Sequence, residues 1–148
     1  MKDYGIYEFT EVSSDVLMYQ FVSMGPKGMI KKVVNFERTY DNHIFNLAFG
    51  NVNEDGSIDD LSRNDNGDRN KILATVIAII TQFTSLRPDS YIFIFGSTPA
   101  RTRLYRMAIS LNYEVLTKTF YIYGLSKRRG SELFDGTQQY DGFLIKRK

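Results

Sequence analysis

The sequence predicts an α+β (α/β) fold, a single mixed and mostly antiparallel sheet covered by two main helices. Three observations predict it. The first half of the chain is a run of short apolar and aromatic segments bounded by turn residues, the pattern of strands. After Gly67 the hydrophobic period changes to helical spacing, and from there helical and strand-like segments alternate. The chain also carries 10 Tyr and 11 Phe with no Trp, and aromatic side chains favour sheet.

The elements follow in order. "YGIYEF" reads as a short aromatic strand. "VLMYQFVSM" and "GMIKKVVNFERT" flank "GPKG", a turn signal, and so predict a hairpin. "HIFNLAFGNV" sets Ile44, Asn46 and Ala48 against Phe45, Leu47 and Phe49, so both of its faces should be partly covered. "NEDG" makes a tight turn into the weaker strand "SIDDLSR". From Arg69 to Leu86, Ile72, Leu73, Val76, Ile77, Ile79, Ile80 and Phe83 recur at helical spacing; Asn66 and Asp68 offer N-cap chemistry, and Pro88 stops the helix. "YIFIF" is a buried central strand. A second helix opens at Pro99 with Thr98 as its cap, since the missing N–H of a first-turn proline leaves nothing unsatisfied. "TKTFYIYGL" is a further strand, "SKRRGSELFDGTQQYD" a polar loop and "GFLIKR" the closing strand.

Length and composition bound the rest. The 148 residues suit one domain, 1–148, with 43% hydrophobic and 24% charged residues as in ordinary soluble proteins. No apolar run approaches the roughly 18 residues of a membrane span. "MKDYGIYEF" lacks the apolar core of a signal peptide, so a cytoplasmic location is expected. The absence of Cys excludes disulfides, thiolate catalysis and cysteine-ligated zinc. A net charge of +2 is too small for binding by bulk attraction. Residues 54–68 are acidic, whereas "RTRLYR", "SKRR" and "KRK" are basic, the last two reading as a solvated loop and tail.

The candidate site residues lie at the two helix starts. On the helix from Pro99, Leu104, Tyr105, Ala108 and Leu111 cluster on one side, with Arg103 and Arg106 opposite and solvated. Arg101 projects from the first turn near the middle of the apolar face, where an unpaired guanidinium would be costly. Its partner is either a carboxylate from Asp59, Asp60, Asp65 or Asp68, or an anionic ligand. Free N–H groups of a helix start bind anions, and Ser97 and Thr98 add hydroxyls. At the other helix start, Gly67, Arg69, Asn70 and Lys71 are candidates for the same chemistry, and Arg63, Arg69, Lys71 and Arg101 could frame one cleft. Asp65 and Asp68 would repel a phosphate there, and a polar loop with an Asp cap accounts for the same residues. "NVNEDGSIDDLS" has calcium-loop spacing at Asn51, Asn53, Asp55, Gly56 and Ile58, but Ser62 stands where a Glu is needed, so a hairpin is expected and no metal site. His43, the single histidine, suits a structural or surface role.

Two resemblances follow from these runs. "GPKGMIKKVV", "NLAFG", "NGDRNKILATV" and "GSTPARTRLYRMAI" resemble an uncharacterised family of small bacterial proteins, over nearly the whole chain and with no activity to transfer. The order of elements is similar to that of Gcn5-related N-acetyltransferases. That resemblance implies that "RNDNGDRNK" cradles the pyrophosphate of acetyl-CoA and that Tyr105, in the pair Leu104–Tyr105, protonates the leaving thiolate. The loop departs from the family's core, having Gly67 alone before Asp68 and Arg69. A general base would be Glu37 or Asp60. Two functions stay open: binding of acyl-CoA or another phosphate-bearing anion, and a non-enzymatic module, of toxin–antitoxin type, that meets RNA or protein. A homodimer through an exposed edge strand is compatible with either.

Overall fold

Turn chemistry and hydrophobic period decide where this chain changes direction. The computed structural model describes residues 5–13, 15, 17–59 and 66–148. These divide into two compact units, one drawn from residues 5–37 and 48–86, the other from 38–47 and 87–148.

The first unit is built from β1 (Thr10–Glu11), β2 (Met18–Gly25), β3 (Gly28–Arg38), the end of β4 (Ile44–Val52), β5 (Ile58–Asp59) and α1 (Arg69–Leu86). β2 and β3 form the hairpin expected around "GPKG", with Gly25 opposite Gly28. Gly28, at φ 90°, takes a left-handed conformation that a Cβ would penalise. Along β2 the period of two buries Tyr19, Phe21 and Ser23. Helix α1 faces its own apolar stripe inward through Ile72, Val76, Ile79, Ile80 and Phe83. The Phe83 ring stacks on Phe36 of β3 with centroids 3.9 Å apart. β5 pairs antiparallel with β4, as a hairpin through "NEDG" requires.

The second unit holds the start of β4, then β6 (Tyr91–Ile94), α2 (Pro99–Leu111), α3 (Tyr113–Thr119), β7 (Phe120–Ser126), β8 (Gly130–Leu133) and β9 (Gly142–Arg147). Residues 44–46 of β4 run parallel to 91–93 of β6. β9 then inserts antiparallel between β6 and β7, and β8 pairs with the far side of β7. The last strand of the chain is thus flanked on both sides, which buries Phe143 and Ile145.

The pairing is mixed and mostly antiparallel, and the class is α+β. Three elements differ from expectation. Residues 5–9 are not a strand: the Tyr7 N–H donates to the Thr75 hydroxyl of α1, 2.9 Å, rather than to a neighbouring strand. Residues 113–119 form a third helix where strand was expected from 117. Glu114 in its first turn and Lys118 in its last complement the helix dipole and outweigh the β-branched residues between them. The polar loop contains β8, because Gly130 at φ 76° supplies the left-handed residue that a short hairpin loop needs. No helix among the described residues is long and apolar enough to cross a membrane.

Candidate anion-binding cleft

In the second unit, β6 gives way to α2 through a glycine. A Cβ on Gly96 would lie 2.4 Å from the Thr102 backbone nitrogen and 2.5 Å from the Arg101 Cβ, so only glycine lets the strand exit so close to the helix. The Gly96 N–H donates to the Thr102 hydroxyl at 3.0 Å. Thr98 is the N-cap, its hydroxyl oxygen accepting from the Arg101 N–H at 3.2 Å, and Pro99 opens the helix as the sequence predicts. Ser97 is exposed beside it.

Across from this helix start stands the β7–β8 turn. The Ser126 hydroxyl accepts from the N–H groups of Arg128 and Arg129, at 3.2 and 3.4 Å, folding Lys127, Arg128 and Arg129 into a tight tip. Arg129 is held. Its Nε donates to Glu132 at 3.0 Å, and its guanidinium lies 5.7 Å from the centre of the Tyr140 ring. Tyr140 in turn donates its hydroxyl to Glu132, 3.1 Å, and accepts from the Asp135 N–H, 3.0 Å. Burial pushes the Tyr140 hydroxyl pKa up, and the Glu132 carboxylate adds to the rise. The ring lies flat enough on Gly124 that a Cβ there would meet it at 2.2 Å.

Between the two walls is a cleft of about 1090 Å³. Among the described residues its charged lining is Arg103 and Arg106 from α2, Lys127, Arg128 and Arg129 from the turn, and a single carboxylate, Asp141. That carboxylate already accepts from the Lys127 N–H at 2.8 Å. Arg106 donates to the Gly136 carbonyl at 3.1 Å, whereas the side chains of Arg103, Lys127 and Arg128 make no hydrogen bond or ion pair among the described residues. Phe93 and Phe95 line the same cleft with ring centroids 5.1 Å apart, and Phe95 is 46% exposed. A concave surface lined by one sign of charge concentrates the field and draws anions.

The expected site residues are distributed unevenly. Ser97 and Thr98 line the cleft; Arg101 and Tyr105 are half-buried on α2 and do not line it. Arg103 and Arg106, expected to be merely solvated, do. The reason is the angle of the helix: its buried face is Thr102, Ala108 and Ile109, and Leu111 is exposed. Thr102 turns inward because its hydroxyl accepts from Gly96, which an apolar-period count cannot see.

Gly67, Arg69, Asn70 and Lys71 belong to the first unit. Gly67 takes φ 74°, and Gly67, Arg69 and Asn70 are exposed. Lys71 stands 4.3 Å above the Tyr7 ring. Their neighbours are engaged internally. Asn66 is buried, accepting from the Lys27 N–H at 2.7 Å and donating to the Gly28 carbonyl at 2.9 Å. The Asp68 carboxylate accepts from the hydroxyls of Tyr7, 2.6 Å, and Ser23, 2.5 Å. Burial, reinforced by Asp68, pushes the Tyr7 hydroxyl pKa up. Arg63, Asp60 and Asp65, and the side chain of Asp59, lie outside the described residues.

A model of one protein family matches residues 3–148. The chain belongs to the family of unknown function DUF6934. No curated protein and no solved structure matches it. Membership bears out the expectation of an uncharacterised family and assigns no residue a role, so the site has to be argued from its own geometry.

Asn51 is buried and accepts from the Lys32 ammonium, while Asp55 accepts from the Ser57 N–H and hydroxyl at 2.9 and 2.6 Å. The Asp55–Ser57 bonds build a hairpin tip, and among the described residues no cluster of three or more acidic or histidine side chains could hold a metal. His43 is exposed at the start of β4, its carbonyl accepting from the Tyr91 N–H at 2.6 Å. The cleft itself was missed because its two basic segments are more than twenty residues apart in sequence. The available signal was "SKRRGSE", three cations between a hydroxyl residue and a glycine, which is hairpin-tip chemistry.

Proposed function

We propose that this protein binds a phosphate-bearing anion in the cleft between the start of α2 and the β7–β8 turn. One observation carries the reading: Arg103 and Arg106 converge with Lys127, Arg128 and Arg129 on a cleft whose only carboxylate among the described residues is Asp141. Guanidinium forks match phosphate oxygens bidentately, and the open end of a helix adds N–H donors of favourable polarity. Titration calorimetry with inorganic tripolyphosphate and with CoA tests it. The expected result is binding that weakens as salt rises and is lost in Arg103→Glu/Arg128→Glu. Absence of heat from either anion at low ionic strength would refute it.

A second reading places the phosphates of an acyl-CoA at the start of α1, with Gly67, Arg69, Asn70 and Lys71 as their ligands. The exposure of Gly67, Arg69 and Asn70 beside a helix start supports it. Arg69→Ala separates the two: it abolishes CoA binding in the second reading and leaves it unchanged in the first.

A further inference from the structure

We infer that the occupant of the cleft is a segment of single-stranded nucleic acid, its phosphates held by the two basic walls and a base stacked on Phe95. This inference rests on the phosphate reading and names the ligand for it.

Three features favour a strand over a compact metabolite. The first is the spread of the charge. Arg103 and Arg106 stand one helical turn apart on one wall, about 4.5 Å along the axis, while Lys127 and Arg128 extend from the other. A single phosphate could engage only part of this array, whereas a backbone presents one phosphate after another. The second is size. At about 1090 Å³ the cleft lies at the upper end of the range of small-molecule sites, and it is open to solvent, so an extended strand can enter and leave it.

The third is the aromatic surface. Phe95 follows directly on β6, is 46% exposed, and is backed by Phe93. An exposed Phe ring among cations leaves apolar surface in water unless something flat covers it. Nucleobases do so, and every base has a face to offer, which is how basic grooves with aromatic platforms hold single strands. Bases in a duplex are stacked on one another and are not available to such a ring. Gly142 helps set the platform: a Cβ there would lie 3.1 Å from the Phe93 ring, so a larger residue would displace it. Polar groups at the cleft's margin, Ser97, Ser131 and Gln139, can pair with base edges without enforcing one sequence.

The whole-chain charge of +2 sharpens the expectation. Bulk attraction is weak, so binding must come from the local array and must carry its salt signature. For single strands the slope of log K against log salt is about −0.7 for each phosphate neutralised. Three to five contacts give a slope between about −2 and −3.5.

The test is fluorescence anisotropy of the full chain with a short labelled oligouridylate across a salt series, with oligothymidylate as a second probe and tripolyphosphate and polyglutamate as competitors. Expected are a slope in that range, a fall of about 0.7 in its magnitude for Arg103→Ala or Arg128→Ala, and binding about fivefold or more weaker in Phe95→Ala with the slope unchanged. Phe95→Leu, which keeps an apolar side chain without the ring, should behave as Phe95→Ala. Tripolyphosphate affinity should not respond to either Phe95 variant. These positions are exposed, and unchanged melting curves confirm that the variants are folded. Binding of either oligonucleotide with that Phe95 response supports the inference. If tripolyphosphate binds and neither oligonucleotide does, or if both Phe95 variants bind as wild type, or if polyglutamate competes as well as oligouridylate, the inference is overturned and the phosphate reading stands. If nothing binds, both fall.

Discussion

Replacing Gly96 by alanine tests the frame of the cleft. The Gly96 backbone lies outside the left-handed region, so the substitution carries no conformational penalty, only a steric one. The added Cβ would meet the Thr102 nitrogen at 2.4 Å, the Arg101 Cβ at 2.5 Å and the Arg101 carbonyl carbon at 2.7 Å. Ordinary contacts begin about 1 Å further out, and these neighbours are backbone and Cβ atoms of a helix, which cannot rotate aside. The joint between β6 and α2 must therefore open, at the roughly 1–3 kcal/mol of overpacking. Opening it also stretches the Gly96 N–H bond to Thr102, a further 0.5–1.5 kcal/mol or so. The sum, about 2–4 kcal/mol, corresponds to a fall of roughly 5–15 °C in Tm for a chain of this size. Thermal unfolding followed by circular dichroism measures it, with Ser97→Ala as the exposed neighbour that should leave Tm unchanged. A Gly96→Ala protein that melts within about 2 °C of wild type would refute the steric argument.

Gly130 gives the opposite case: open space surrounds it, but its φ of 76° is left-handed. Gly130→Ala should cost about 1–2 kcal/mol and Gly130→Asn distinctly less, read from the same melts. The raised hydroxyl pKa values of Tyr7 and Tyr140 give a pH dependence with a definite sign. A folded-state value above the unfolded 10.0 means that the neutral hydroxyl stabilises the fold below pH 10, and that this stability is lost as pH rises through the folded value. Wild type should lose Tm through this alkaline window more steeply than Tyr7→Phe/Tyr140→Phe. Equal slopes would contradict the assignment.

Where local chemistry decides, the sequence is legible. Helix α1 runs from Arg69 to Leu86 as its apolar period requires, and Thr98 and Pro99 open α2 as capping rules require. The Pro26–Lys27 turn follows in the same way. Where a distant partner decides, it is not. Tyr7 leaves the strand pattern because Thr75 takes its N–H and Asp68 its hydroxyl, 68 and 61 residues away. The face of α2 is set by a hydroxyl bond to Gly96 rather than by counting apolar residues. The cleft needs β9 to enter between β6 and β7, which brings Gln139–Gly142 and the β7–β8 turn to the mouth of β6. No run of residues encodes that convergence by itself.

The cleft separates two kinds of residue, and this gives its chemistry a further consequence. Its frame is fixed by uncharged contacts: Gly96 on Thr102, Thr98 on the first turn of α2, Ser126 under the β7–β8 tip, and Gly124 under Tyr140. The cations stand on the outer ends of that frame. Arg129 alone among them is tied by an ion pair, to Glu132, and exposed pairs of that kind contribute at most about 1 kcal/mol. Removing Arg103, Lys127 or Arg128 therefore takes nothing from the core and relieves repulsion among like charges. In the proposed binding, stability and affinity come from different side chains. Charge substitutions should change binding at constant Tm, and frame substitutions should change both together. A surface that were basic only by accident of composition would have no such frame beneath it. The Ser126 turn and the Gly124–Tyr140–Glu132 contact hold the backbone of the tip and Arg129, whereas the exposed Lys127 and Arg128 side chains keep rotamer freedom that a bound anion would have to order.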